Sequence, residues 1–242
     1  MTKAKSTAAR RSGALAYGAV VVAVLLTLAG CGDRKSAADY IKAAQAHLAS
    51  NEVHAAIIDL KNALQKEPKN VEARTMLGQT YVDLSDATAG EVELQHARDD
   101  GATPAMVNKP LAQAELLLRK PKAVLELTDP VQGASPQLAA SLLALRGEAL
   151  FALGQRDEAA KVFAEGLKAD PNSVDVQIGM GRAALSQRDL PQAKEHLAVA
   201  QKEAPKSPQV MELAGDVAFA GADFPGSEKA YQSLHELQPW NL

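Results

Sequence analysis

One reactive side chain stands apart in this sequence, the single cysteine Cys31. A lone thiol cannot close an intrachain disulfide, and it cannot build a cysteine-ligated zinc or iron–sulfur site. Its setting is particular. It ends the run Leu28-Ala29-Gly30-Cys31, directly after an uncharged apolar stretch, with small residues beside it. Other groups that could do chemistry are dispersed. The histidines are His47, His54, His96, His196 and His235, and only His96, with Asp99 and Asp100, has a metal-like spacing. Metal sites need more converging ligands and hydrogen bonds that orient them, so a solvated helix end is the simpler reading of that triplet. No His-Glu-x-x-His, phosphate-loop or Gly-x-Ser-x-Gly pattern occurs, and Gly179-Met180-Gly181 is only a two-glycine fragment. No catalytic residues, no metal and no cofactor are expected, and the chain is not expected to be an enzyme.

The residues before Cys31 explain its position. Lys3, Lys5, Arg10 and Arg11 form a basic start, and residues 13–29 carry no charge and are strongly apolar from Val20 to Leu28. A basic start, an apolar run and a small-residue exit define a secretory signal peptide, here residues 1–30. The apolar run is also near the lower length limit for a membrane span, so an uncleaved anchor is the competing reading. Leu-Ala-Gly-Cys resembles the bacterial lipobox. That resemblance implies cleavage before Cys31 and lipidation of its thiol, and the absence of Asp after the cysteine leans towards the outer membrane rather than the inner. The expected place is therefore the bacterial cell envelope, lipid-anchored and facing the periplasm. Loss of four Lys/Arg with residues 1–30 leaves 22 basic and 29 acidic residues, a net of −7. A negative net charge of that size gives no reason to expect nucleic acid or another anionic partner. Residues 31–36 make a short tether, reaching under about 20 Å at ~3.5 Å per residue.

The remaining sequence must be helical. Apolar residues make up 47% and charged residues 23%, which excludes a disordered chain. Aromatics at 4% are too few for an ordinary β-sandwich or barrel. Ala, Leu, Lys, Glu and Gln dominate, the residues with low cost in a helix.

A period of 34 residues organises them. Pro68, Pro136, Pro171, Pro205 and Pro239 recur in register, with Ala102 between the first two. Proline cannot continue a helix and pushes the residue before it out of the α region. Between these marks, Gly78, Gly147, Gly181 and Gly215 occupy equivalent positions. Twelve residues further come Gly90, Ala159, Ala193 and Ser227, with Ala56 in the first unit, and four later Leu60, Leu94, Phe163, Leu197 and Tyr231. Small residues let paired helices approach, and the large residue fills the groove between them. The pattern resembles the tetratricopeptide repeat over residues 37–241, most closely at 149–159. It implies an all-α right-handed solenoid of six helix–turn–helix units at 37–70, 71–104, 105–139, 140–173, 174–207 and 208–241. The third unit is degenerate: Pro110 and Pro121 fall where regular units have helix, and its second helix is expected to be short, about 123–128.

By resemblance to that family, the first helix of each unit lines a concave groove. Equivalent positions form a polar rung of Gln45, Gln79, Gln113, Glu148, Arg182 and Asp216, and an apolar rung of Leu48, Val82, Leu116, Phe151, Leu185 and Phe219. An extended protein or peptide partner could pair with the first and fill pockets at the second. The competing reading is that the apolar rung is partly core and the polar rung is solvated. No cationic clamp for a chaperone tail is present, since the corresponding residues include Ile41, Gln45, Met76, Met106 and Pro110.

Residues 56–68, 71–81 and 100–107 further resemble the N-terminal part of the PrsT group of tetratricopeptide lipoproteins. This resemblance implies a role in exopolysaccharide export or in exosortase (PEP-CTERM) protein sorting. The present sequence departs from that group in having far fewer repeats, and a truncated product is one explanation. A pilotin or outer-membrane assembly lipoprotein of the type IV pilus kind matches the length better, and a non-catalytic subunit of a glycan-processing complex is a third reading. The last unit ends without a polar capping helix, so self-association through it is expected.

Overall fold

Six helix pairs follow one another from Ala37 onward. They are α1 (Ala37–Ala49) and α2 (Val53–Lys66), α3 (Val71–Asp83) and α4 (Ala87–Asp99), α5 (Pro104–Leu117) and α6 (Pro121–Leu127), α7 (Pro136–Ala152) and α8 (Arg156–Ala169), α9 (Val174–Ser186) and α10 (Leu190–Glu203), and α11 (Pro208–Ala220) and α12 (Phe224–Leu237). The computed structural model describes residues 35–129 and 133–238. Segment 1–30, the Cys31 thiol and most of the tether lie outside the described residues, as does Pro239. No strand occurs among the described residues, and no helix there is long and apolar enough to cross a membrane.

The second helix of the first, second, fourth and fifth units buries a narrow stripe at positions i, i+4 and i+7, whereas α12 buries only Ser227 and leaves Tyr231 exposed. In α2 it is Ala56, Leu60 and Ala63, and in α4 Gly90, Leu94 and Ala97. In α8 it is Ala159, Phe163 and Gly166, and in α10 Ala193, Leu197 and Ala200. These are the small–large–small positions of the 34-residue period, and the spacing puts them on one helix face. The glycine opposite is a steric requirement. A Cβ on Gly78 would sit 2.5 Å from Leu94 Cγ, and one on Gly147 would collide with the Phe163 ring. Each buried large side chain contributes about 1.5–3 kcal/mol relative to exposure.

The turns inside the units repeat with the same register. Asn51, Ser85, Arg119, Gly154, Arg188 and Ala222 all have positive φ. At each, the next amide closes a six-residue ring onto the first helix, as in Asp86 N to Tyr81 O at 2.9 Å and Lys120 N to Glu115 O at 2.8 Å. This is the Schellman end, which satisfies carbonyls left free when a helix stops. Only Gly154 meets the left-handed conformation without a Cβ penalty. Five units carry a side chain there, so the turn is imposed by packing of the helix pair.

The third unit differs from expectation in one respect. Pro110 does not interrupt its helix; α5 runs through it to Leu117, with Pro110 buried. Proline inside a helix loses a hydrogen bond and costs about 3 kcal/mol. Here Val107, Leu111, Ala112 and Ala114 on the same helix are all fully buried, which offsets that loss. The second helix is short, at seven residues. Its free carbonyls are taken by side chains of neighbours: Asn108 Nδ2 donates to Leu127 O at 2.8 Å, and the Arg146 guanidinium donates to Leu125 O at 2.9 Å.

Candidate functional site

The first helices face a common cavity of about 870 Å³. That is within the range of ligand sites, ~300–1,000 Å³. Every unit contributes to its wall, from Leu48 of α1 to Glu212 of α11. The ends also meet. Asn51, in the first turn, donates from Nδ2 to Leu237 O at 2.8 Å, and Leu48, Val53, Leu234 and Gln238 line the cavity beside that contact. The solenoid therefore curves far enough for its first and last units to touch.

The wall crosses the helices on a diagonal. In the first two units it is made of Leu48, Val82 and Asp83, near the C-terminal ends of α1 and α3. In the third and fourth it takes Lys109, Gln113 and Leu116 from α5, and Ala144 and Glu148 from α7. In the fifth and sixth it has moved back to Asp175, Ile178 and Arg182 of α9, and Gln209 and Glu212 of α11. Residues four and seven apart share a helix face, so the shift follows one face up or down by a turn or two as the superhelix twists.

That twist sorts the rung residues. Gln113, Leu116, Glu148 and Arg182 are brought together on the wall. Gln45, Gln79, Asp216, Phe151 and Phe219 are not on it. Gln45 donates to Glu72 at an exposed contact of 3.3 Å, and Gln79 donates to Asp83 at 2.7 Å and towards Gln113 at 3.4 Å. Asp216 accepts a hydrogen bond from the Tyr231 hydroxyl. Phe151 packs on the α7–α8 core with the Arg156 guanidinium 5.7 Å from its ring centroid. Phe219 is 64% exposed and meets Phe224 edge to face, with centroids 5.8 Å apart. A straight rung at constant repeat position is the wrong geometry for a twisted stack.

Two family models for the tetratricopeptide repeat match the chain, one over residues 150–216 and the other over residues 41–101. This is a tetratricopeptide repeat protein. No curated protein matches it in sequence. Among solved structures it is similar to TTC0263, a thermophilic tetratricopeptide repeat protein of Thermus thermophilus, at 20% identity and a TM-score of 0.63, covering 77% of this chain and 99% of that one. It is also similar to PilW, described as a widely conserved type IV pilus biogenesis factor, at 16% identity and a TM-score of 0.59 over 84% and 94% of the two chains. A third is YrrB, described as having an unusual peptide-binding site, at 21% identity and a TM-score of 0.50 over 72% and 89%. These likenesses concern the fold.

The electrostatics of this tetratricopeptide cavity centre on two cations held by anions. Lys109 Nζ contacts Asp175 Oδ2 at 2.8 Å and Ser141 Oγ at 3.1 Å. Arg182 pairs with Glu212 at 2.8 Å and lies 3.7 Å from Glu148. Burial alone would raise the Asp175 pKa, but Lys109 and the Ser141 hydroxyl hold it below the ordinary carboxylate value. Glu148 behaves oppositely. Its side chain reaches water but is walled by protein, and desolvation raises its pKa against the pull of Arg182, helped by Asp175 and Glu212. Asp83 is also raised by desolvation, with Gln79 and Lys109 opposing. The positions that sequence reasoning misses are Asp83, Lys109, Asp175 and Glu212. The last three lie four or seven residues before a rung residue, on the same helix face, so helical periodicity within each unit is the available signal.

Outside the cavity, Asp100 of the His96–Asp99–Asp100 triplet accepts from Arg74 Nε at 3.0 Å, and Arg74 also pairs with Glu93 at 3.0 Å. No group of three potential metal ligands converges among the described residues.

Proposed function

We infer that this protein is a scaffold that holds a protein or peptide partner in the concave cavity. The observation that carries the reading is the wall itself, built from the first helices of all six units around about 870 Å³. Tetratricopeptide repeats as a family act through protein–protein contact, and the structurally similar YrrB is described by its peptide-binding site. A photo-crosslinking amino acid placed at Gln113, inside the cavity, should capture a partner in cells. The same residue placed at exposed Asp157 should not. Capture from both positions, or only from Asp157, would move the site off the cavity.

We infer further that the scaffold is tethered by a lipid on Cys31 in the cell envelope, at the outer membrane. The support is the basic, apolar and Leu-Ala-Gly-Cys succession in the sequence. Labelled palmitate should enter the wild type and not Cys31→Ala, and equal labelling would remove the anchor. Within that setting, exopolysaccharide export or exosortase-linked sorting is the role supported by residues 56–68 and 71–81. Type IV pilus assembly is the second reading, favoured by the likeness to PilW over 84% of this chain and 94% of that one.

A further inference from the structure

The cavity carries more negative than positive charge, and the surplus is not spread evenly. Six charged side chains line it: Asp83, Glu148, Asp175, Glu212, Lys109 and Arg182. Lys109 is engaged by Asp175, and Arg182 by Glu212. That leaves Asp83, whose carboxylate accepts from Gln79, and Glu148, which is 3.7 Å from the already paired Arg182. Between and beside them the wall is mixed, with edges of Val82, Leu116 and Ile178 next to the polar Thr80, Gln113 and Gln209. A surface where aliphatic edges and uncharged polar groups stand beside carboxylates fits one class of side chain. Lys and Arg lay a methylene stem on apolar surface and keep the charged head in polar surroundings.

We propose that the cavity selects an extended segment rich in Lys or Arg, with its cationic heads at Asp83 and Glu148 and its stems against Val82, Leu116 and Ile178. This rests on the reading of the cavity as the partner site and names the partner's chemistry. An acidic segment would meet four carboxylates against two engaged cations. A neutral segment would cover Asp83 and Glu148 without supplying a counter-charge, and the protein around both already raises their pKa. Like-charge opposition of this kind discriminates against wrong partners, beside the attraction that recruits right ones.

The test uses the full chain in detergent and three labelled peptides of about six residues, which extend to about 20 Å. They alternate Ala with Lys, Gln or Glu, and binding is read by fluorescence anisotropy. The Lys peptide should bind at least about tenfold more tightly than the Gln peptide, and the Glu peptide should show no binding. Raising salt from about 50 to about 300 mM should weaken the Lys complex. The Asp83→Asn, Glu148→Gln double variant should lose about tenfold in affinity. The Asp157→Asn, Glu158→Gln variant changes the same charge on the exposed face of α8 and should lose nothing. Helix content by circular dichroism checks the fold, and Asp83→Asn alone, at an exposed side chain, keeps the measurement available if Glu148→Gln does not fold. Equal loss in both double variants would reduce the effect to net charge and overturn the proposal. Tighter binding of the Gln or Glu peptide would overturn the cationic class while leaving the cavity as the site. If no peptide binds, the cationic class falls, and crosslinking from Gln113 decides separately whether the cavity binds any partner.

Discussion

The second and third repeats adjoin in sequence and in space, yet they reach a packed helix pair by different means. The second has two 13-residue helices, each with a side-chain cap: Asn70 accepts from Ala73 N at 2.9 Å and Asp86 from Ala89 N at 3.1 Å. Leu94 is fully buried against Gly78. In the third, neither helix has a side-chain cap bond, both begin with proline, and α6 buries Val124 alone. A seven-residue helix is far below the length that is stable in isolation. It is retained because Val124 is shared with Ala112, Leu145 and Ala149 of the helices on either side, and because Asn108 and Arg146 satisfy its carbonyls. The second repeat thus carries its own structure, and the third has most of its structure supplied by its neighbours.

That difference can be broken most forcefully at the cores. Leu94→Ala removes the fully buried side chain that fills the groove at Gly78, and should cost about 2–5 kcal/mol. Urea unfolding should show the loss. Val124→Ala deletes two methyl groups and should cost about 2 kcal/mol. Repeat stacks behave as a chain of nearest-neighbour couplings, so its effect should be local and dividing. Hydrogen exchange should quicken over 121–128 while α3 and α4 keep their protection. Uniform faster exchange along the whole stack would mean that the third repeat is no weaker a junction than the second.

A smaller effect is expected where the third repeat borrows hydrogen bonds. Asn108→Ala leaves the Leu127 carbonyl without its 2.8 Å donor. The loss should be about 1 kcal/mol, visible as fraying of α6. No matching change should follow from alanine at Gln95, whose side chain accepts from Arg98 on the same helix, α4, at an exposed contact.

How far this is readable in the sequence follows from the same contrast. The regular units are written locally: small–large–small triplets such as Gly90, Leu94 and Ala97 are helix-period signals, and the glycine opposite each is a steric consequence. The short α6, expected at about 123–128, occupies Pro121–Leu127. Pro110 departs from expectation because burial of the residues around it outweighs a local rule about proline. The cavity is legible in kind but not in position. Gln113, Leu116, Glu148 and Arg182 are on the wall, whereas Gln45, Gln79, Asp216, Phe151 and Phe219 are carried off it by superhelical twist, which no single repeat encodes. The contact between Asn51 and Leu237, 186 residues apart, depends on the summed curvature of every unit.

The smallest expected effects test the caps. Asn70→Ala removes the acceptor that holds Ala73 N, and a capping residue of this type is worth about 1 kcal/mol. Asn70 also donates from Nδ2 to Glu67 at 2.8 Å, so Asn70→Asp is the sharper comparison: it keeps the cap acceptor and loses that donor. If capping is what matters, Asn70→Asp stays near wild type and Asn70→Ala does not. Thr103 stands at the same place before α5 but makes no side-chain cap bond, and Pro104 behind it has no amide to satisfy. Thr103→Ala should therefore change stability by less than about 0.5 kcal/mol. The two alanine variants differ by the cap bond to Ala73 N and the donor to Glu67 at equivalent positions of adjoining repeats, and Asn70→Asp separates those two contributions. Equal losses at both would show that the third repeat holds its own helix start after all, and that its dependence on neighbours is confined to α6.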